Sequence, residues 1–276
     1  MMRSFLARIT ISRLMLYYLI ALLAAALGLA VAGLLPYRAG DIWFTATVVL
    51  AACWAVNWAF AKSFSARSNP ESVLITALIL ALIITPFGPG DVSDIGFAVF
   101  ASAWAMASKY LFAIRGRHFL NPAAFGVALA ALVLGPSVSW WIGGSLYLVP
   151  LTLIGGALVW RKMRCTNLLA AFTVATLGTA VALTGLHGAG EALDQLVLHS
   201  MFLFFAFVML TEPRTAPIGN AKRIAYAALV GVLFAPELHF GSFYFTPETA
   251  LLVGNVFAVA SSPRRFTASR RVTAQA

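Results

Sequence analysis

The chain has 276 residues, 61% of them hydrophobic and 10% charged, with a mean hydropathy of +0.90. Soluble domains run nearer about 45–50% apolar and about 25% charged, so this composition excludes them and leaves an integral membrane protein. The net charge of +10 does not point to nucleic acid, because the basic residues sit in short connectors and form no patch with interleaved aromatics.

The opening MMRSFLARITISR has the basic front of a signal peptide. The apolar run Leu14–Leu35 is too long for a signal core, however, and reads as a retained first span, 14–35. Further spans are predicted at 42–61, 72–86, 95–108, 121–135, 141–160, 167–184, 196–211, 224–236 and 246–260. Several hold only about 15 residues, against roughly 20 for a straight crossing, so length alone leaves the count open. Charge decides it. If the N-terminus, the even-numbered connectors and the C-terminus share one side, that side holds all 19 Lys and Arg residues except Arg38. The acids lean the other way, with only Glu71 and Glu212 on the basic side. The positive-inside rule then predicts ten spans with both termini cytoplasmic. The basic tail 261–276 is expected against anionic lipid, with docking of an acidic partner as the alternative.

The two halves echo each other. Span three ends LALIITPFGPG and span eight ends FVMLTEPRTAP, each a short helix stopped by threonine and proline. Span five opens with Asn121, and span ten carries Asn255. Five spans per copy is odd, so the second copy inserts upside down. The expected architecture is all-α and polytopic, one membrane domain over 1–276 with repeats at about 14–135 and 141–260. Interrupted helices in matching positions put a site at the repeat interface.

A helix that stops inside the membrane leaves backbone groups that must be buried in protein or line a cavity. Asn121 and Pro122 fit the N-cap and first-turn positions of such a helix. Topology brings Asn121 to the same face as Thr211, Glu212 and Pro213, while Thr85, Thr246 and Pro247 are expected near the other. Plainer roles stay open: Asn121 as a cap alone, Thr85 and Thr211 bonded one turn back, Glu212 paired with Arg214, Asn255 as glue between helices. The Gly-rich GLHGAG at 185–190 lacks the spacing and context of a nucleotide loop. NADH would therefore need another polypeptide.

The segments SVLITALILALIITP, KYLFAIRGRHFLNPAAFG, FFAFVMLTEPRTAP and ETALLVGNVFAVASSP resemble, in order, the NqrB/RnfD family. Its members are membrane components of the sodium-translocating NADH:quinone reductase and of the Rnf electron-transport complex. The resemblance covers most of the chain from Ser72 onward. It implies two inverted five-helix repeats as in urea channels, and flavin-dependent electron transfer at the bacterial inner membrane. The family pattern places two asparagines three apart before Pro-Ala, associated with non-covalent flavin. Here the second is Asn121, and His118, next to Arg117, takes the place of the first. The Ser-Gly-Ala-Thr-like motif that anchors covalent FMN is absent, so only a non-covalent flavin, riboflavin or FMN, is expected. Neither haem nor an iron–sulfur cluster is expected, because only His199 lies in a span and the two cysteines, Cys53 and Cys165, are scattered. No acid lies deep in a predicted span, so ion pumping finds little support. Expected partners are the lipid membrane, a flavoprotein or other redox donor, and quinone. The resulting cofactor-site set is Thr85, Arg117, His118, Asn121, Thr211, Glu212 and Asn255. A channel or transporter for a small solute on the same architecture is the competing reading.

Overall fold

The computed structural model describes residues 9–66, 68–114, 117–135, 138–198, 201–235, 238–241 and 243–262. Arg3, Arg8, Arg67, Arg115, His199, Glu237 and the basic tail from 263 lie outside the described residues. The described part is mostly helical, and a helical segment falls on each predicted apolar stretch. These are α1 (Ile11–Val31), α2 (Ala39–Ser63), α3 (Pro70–Ile83), α4 (Val92–Leu111), α5 (Pro122–Leu134), α6 (Val149–Met163), α7 (Thr166–Leu198), α8 (Phe202–Phe204), α9 (Asn220–Phe234) and α10 (Pro247–Ser261). By length and composition three are able to cross a membrane: α1, α2 and the Thr166–Gly185 part of α7. Ala189–Val197 and α8 with its continuation form a fourth candidate, bent by 59°. Large apolar side chains face outward along these helices, including Trp43, Trp54 and Trp58 on α2. That is how a lipid-facing surface differs from a soluble one.

Three short helices share one way of starting. Asn69, Asn121 and Thr246 each cap a helix whose first residue is proline, and each side-chain oxygen accepts a backbone N–H three residues on. Two of these helices follow a two-residue-strand hairpin: β1 (Ala113–Ile114) with β2 (Arg117–His118) before α5, and β3 (His239–Phe240) with β4 (Phe243–Tyr244) before α10.

The structure departs from the predicted spans in three places. Residues 141–148 are not helical, and α6 begins only at Val149. The reason lies at the broken end of α3, whose carbonyls this loop takes up. Trp140 N donates to Ile83 O (3.0 Å), Ile142 N to Leu82 O (3.4 Å) and Trp141 Nε1 to Ala81 O (3.1 Å). The expected connector after 184 is instead a continuation of α7, which kinks at Gly185 (φ 74°, ψ 168°), a conformation glycine adopts without a Cβ penalty. The first residues of span eight, 196–198, close α7; helix is present again from Phe202, and after Phe204 it widens into a π turn, Phe205–Met209.

Contacts among residues near the helix ends gather those ends into two groups. In one, Arg13 pairs with Glu71 (3.0 Å), Lys109 Nζ donates to Ser72 O (2.8 Å), Asn167 bonds Asn220 (2.9 Å) and Lys222 reaches Ser261. In the other, Thr45 bonds Phe87, Tyr37 meets Trp141, and Trp140 bonds Glu248. Helix pairings recur five helices apart: α2 with α4 and α7 with α9, α4 with α5 and α9 with α10, α1 with α3 and α6 with α8. The short helices α5 and α10 touch each other between the two sets.

Candidate functional site

The sequence places asparagine before proline at the start of α5, and the cap geometry follows. Asn121 Oδ1 accepts Ala124 N at 3.0 Å, which fixes the side chain and aims its Nδ2 away from the helix. That nitrogen donates to Glu212 Oε2 at 2.8 Å. The backbone N–H of Asn121, which the helix itself cannot satisfy, donates to Asn255 Oδ1 at 2.7 Å. One asparagine thus joins the ends of three elements: the start of α5, the middle of α10 and the segment after α8.

Glu212 is delivered by the π turn. Leu210 N bonds Phe205 O five residues back (3.0 Å), so the chain leaves α8 wider than an α-helix before Pro213 stops it. Such single π turns are rare and recur at functional sites. The other carboxylate oxygen of Glu212 meets His118 Nε2 at 3.2 Å, and Thr215 Oγ1 lies 3.5 Å from Oε2. His118 is 4% exposed and Asn121 2%. Glu212 therefore spends both oxygens on His118 and Asn121; among the described residues it forms no ion pair with Arg214.

Asn255 is fully buried, and its Nδ2 finds no hydrogen-bond partner. The hydroxyl of Tyr226 lies close to it, likewise buried and without a hydrogen bond of good geometry. Tyr226 packs against the α10 backbone at Gly254, where its ring would stand 2.8 Å from an added Cβ. The two side chains answer each other in the protein interior, behind the surface that Asn121 presents.

The part of the network made by His118, Asn121 and Glu212 lines a cleft with about 750 Å³ of empty space including the part open to solvent. His118, Asn121, Glu212, Lys109 and Arg214 supply its polar wall, and Met15, Ile75, Ile79 and Val208 its apolar one. A second recess adjoins it, sharing Ser72, Lys109, His118 and Arg214 and adding Phe64 and Tyr110.

Of the sequence-predicted set, His118, Asn121, Glu212 and Asn255 come together. Thr211 lies beside them, 1% exposed, but its hydroxyl bonds Phe207 O one turn back at 2.8 Å. Arg117 is half-buried on β2, and strand alternation turns it to the face opposite His118. Thr85 does not join: it is exposed just past the end of α3, and the pairing expected of it falls to Trp140. Near that end Trp140, 2% exposed, donates Nε1 to Glu248 Oε1 at 2.6 Å. Sequence reasoning counted Glu248 among the acids of the outer face, but it is 3% exposed at the start of α10. Lys109 was also missed, having been read as a topological charge.

Among the described residues no cluster of His, Cys, Asp and Glu could hold a metal ion. Cys53 and Cys165 are buried and unpaired with each other. No protein-family model matches the chain, and no curated protein matches it.

Proposed function

We propose that the chain is a flavin-binding electron-transfer protein of the bacterial inner membrane, akin to the NqrB/RnfD components of the sodium-translocating NADH:quinone reductase and the Rnf complex. Its helices make ten spans in two inverted repeats, with the basic face and both termini in the cytoplasm. Three features support the architecture. Helix pairings recur five apart, each half carries a hairpin followed by a capped Pro-led helix, and the interrupted helices α3 and α8 hold equivalent places.

One observation carries the function. Asn121, Glu212 and His118, joined at 2.8 and 3.2 Å, line one cleft together with Lys109 and Arg214, and Asn255 braces the Asn121 backbone from beneath at 2.7 Å. A flat ring edged with carbonyl oxygens and ring nitrogens fits this donor set, with the apolar wall of Ile75, Ile79 and Val208 against its face. Bound there, a flavin supplies one- and two-electron redox chemistry. His118 and Glu212 share a contact at the cleft wall, so they are placed to hold or release a proton at the ring edge. Thr211 is held back by its own helix and contributes shape only. Electrons enter from a cytoplasmic partner, a flavoprotein by preference, and leave to quinone or another acceptor.

The competing channel or transporter meets an obstacle at the opposite face. The backbone N–H of Trp140 is held by Ile83 O, and its indole, held by Glu248, Phe204 and Phe205, fills the position equivalent to the cleft. The test is the colour of the detergent-purified protein. A flavin absorption band that dithionite bleaches, and that Asn121→Ala removes, supports the proposal. A colourless protein that admits solute to liposomes replaces it with transport.

A further inference from the structure

Lys109 ends α4 with its ammonium turned into protein. Its hydrogen bonds go to Ser72 O (2.8 Å) and Ser72 Oγ (3.2 Å), two neutral groups in the first turn of α3. An ammonium has three donors, so one remains. Arg214 brings a second positive charge to the same two recesses. Neither has a carboxylate within ion-pair distance among the described residues. Glu212 is engaged by His118 and Asn121, and Glu71 by Arg13. Arg214 is exposed, whereas Lys109 is partly buried and, beyond the field of Glu212, meets only neutral groups, so an anion in the recess completes its surroundings.

We infer that Lys109 and Arg214 form an anion subsite for the terminal phosphate of the ligand, so that the cleft takes FMN in preference to riboflavin. The inference rests on the flavin reading, in which Asn121 and Glu212 would hold the ring and Ser72, Lys109 and Arg214 the phosphate end. A phosphate monoester has three acceptor oxygens, enough for the spare Lys109 donor, the guanidinium and the Ser72 hydroxyl together. The hydroxyl itself stays available through rotation. The same phosphate chemistry could instead reach the recess on an anionic lipid, so the two sources are separated in the test.

The flavin-free protein in zwitterionic lipid nanodiscs is titrated with FMN and with riboflavin, following flavin fluorescence. FMN is expected to bind on the order of tenfold to a hundredfold more tightly, the effect of charge-assisted hydrogen bonds. Inorganic phosphate is expected to compete with FMN and leave riboflavin binding unaffected, a readout that needs no variant. Lys109→Met is expected to abolish the preference, and the exposed Arg214→Gln to reduce it even if the lysine variant folds poorly. Equal binding of the two flavins overturns the anion subsite and leaves the flavin reading standing. Failure of both to bind removes the flavin reading and the inference with it. Equal flavin binding, together with Lys109-dependent retention of phosphatidylglycerol in mixed nanodiscs, assigns the phosphate to lipid and also overturns the inference.

Discussion

Asn121 does two separable jobs, since Oδ1 caps α5 while Nδ2 donates to Glu212. Aspartate would keep the first and invert the second, setting a carboxylate where the amide now sits 2.8 Å from Glu212. Asn121→Asp is thus expected to lose bound flavin and to destabilise the protein by about 1–3 kcal/mol, the cost of an unpaired buried group. Asn121→Ser, which also caps but reaches less far, is expected to cost less in stability while still losing flavin. Thermal unfolding and flavin content of the two variants check this, and equal stability of Asp and wild type would reduce Asn121 to a cap. Much of this site was legible at the level of residue type. Asparagine before proline announces a capped helix, and topology alone set Asn121 beside Glu212. The bond from Asn121 N to Asn255 Oδ1 was not legible, because it depends on how far α10 slides against α5. Nor was the role of Lys109, since a lysine at the end of a span reads first as topology.

Helices with too few residues to cross raise the question of what completes the span. At about 1.5 Å per residue, the 13 residues of α5 cover about 20 Å of a roughly 30 Å core. The remainder is irregular backbone, tolerated only where protein buries it. After α3 that condition is met by Thr45, whose hydroxyl accepts Phe87 N at 2.9 Å and faces its carbonyl at 3.3 Å, and by the Trp140 loop. Replacing Trp140 by phenylalanine keeps most of the volume but strips Glu248 of its indole donor. The expected loss is about 1–3 kcal/mol, partly restored by adding Glu248→Leu, which removes the stranded acceptor. The double variant measured by thermal unfolding decides whether the bond or the packing matters more. Close approach of helices supplies a second check. A Cβ on Gly126 would lie 2.2 Å from Ala101 O, a backbone atom that cannot step aside, whereas one on Gly28 meets nothing within 4 Å. Gly126→Ala is therefore expected to destabilise by about 1–3 kcal/mol through overpacking. Gly28→Ala should be neutral or stabilising by up to about 1 kcal/mol, since alanine is the better helix former.

For the molecule as a whole, the sequence carries its order in charge more than in hydropathy. Three helices satisfy a crossing by length and composition, whereas the bias of basic residues points to ten. The difference arises because hydropathy registers continuous apolar helix, and interrupted helices continue as irregular loops such as 138–148, of which Trp140, Trp141 and Ile142 are buried. The kink at Gly185 was invisible for the opposite reason: a Gly-rich run reads as a connector, yet the helix continues on both sides of it. Sidedness can be measured directly, because the native Cys53 and Cys165 are buried and give little background. Single cysteines at Ala66 and Ala221 lie on exposed positions of the basic face, and at Gly40 and Ser93 on exposed positions of the other. Ten spans with cytoplasmic termini predict that a membrane-impermeant maleimide labels Gly40→Cys and Ser93→Cys in intact cells. Ala66→Cys and Ala221→Cys should label only after permeabilisation. If Ala66 and Ala221 label on different sides, an odd number of crossings separates them. The inverted pairing of the halves then fails, and with it the claim that α5 and α8 enter from the same side to enclose the cleft.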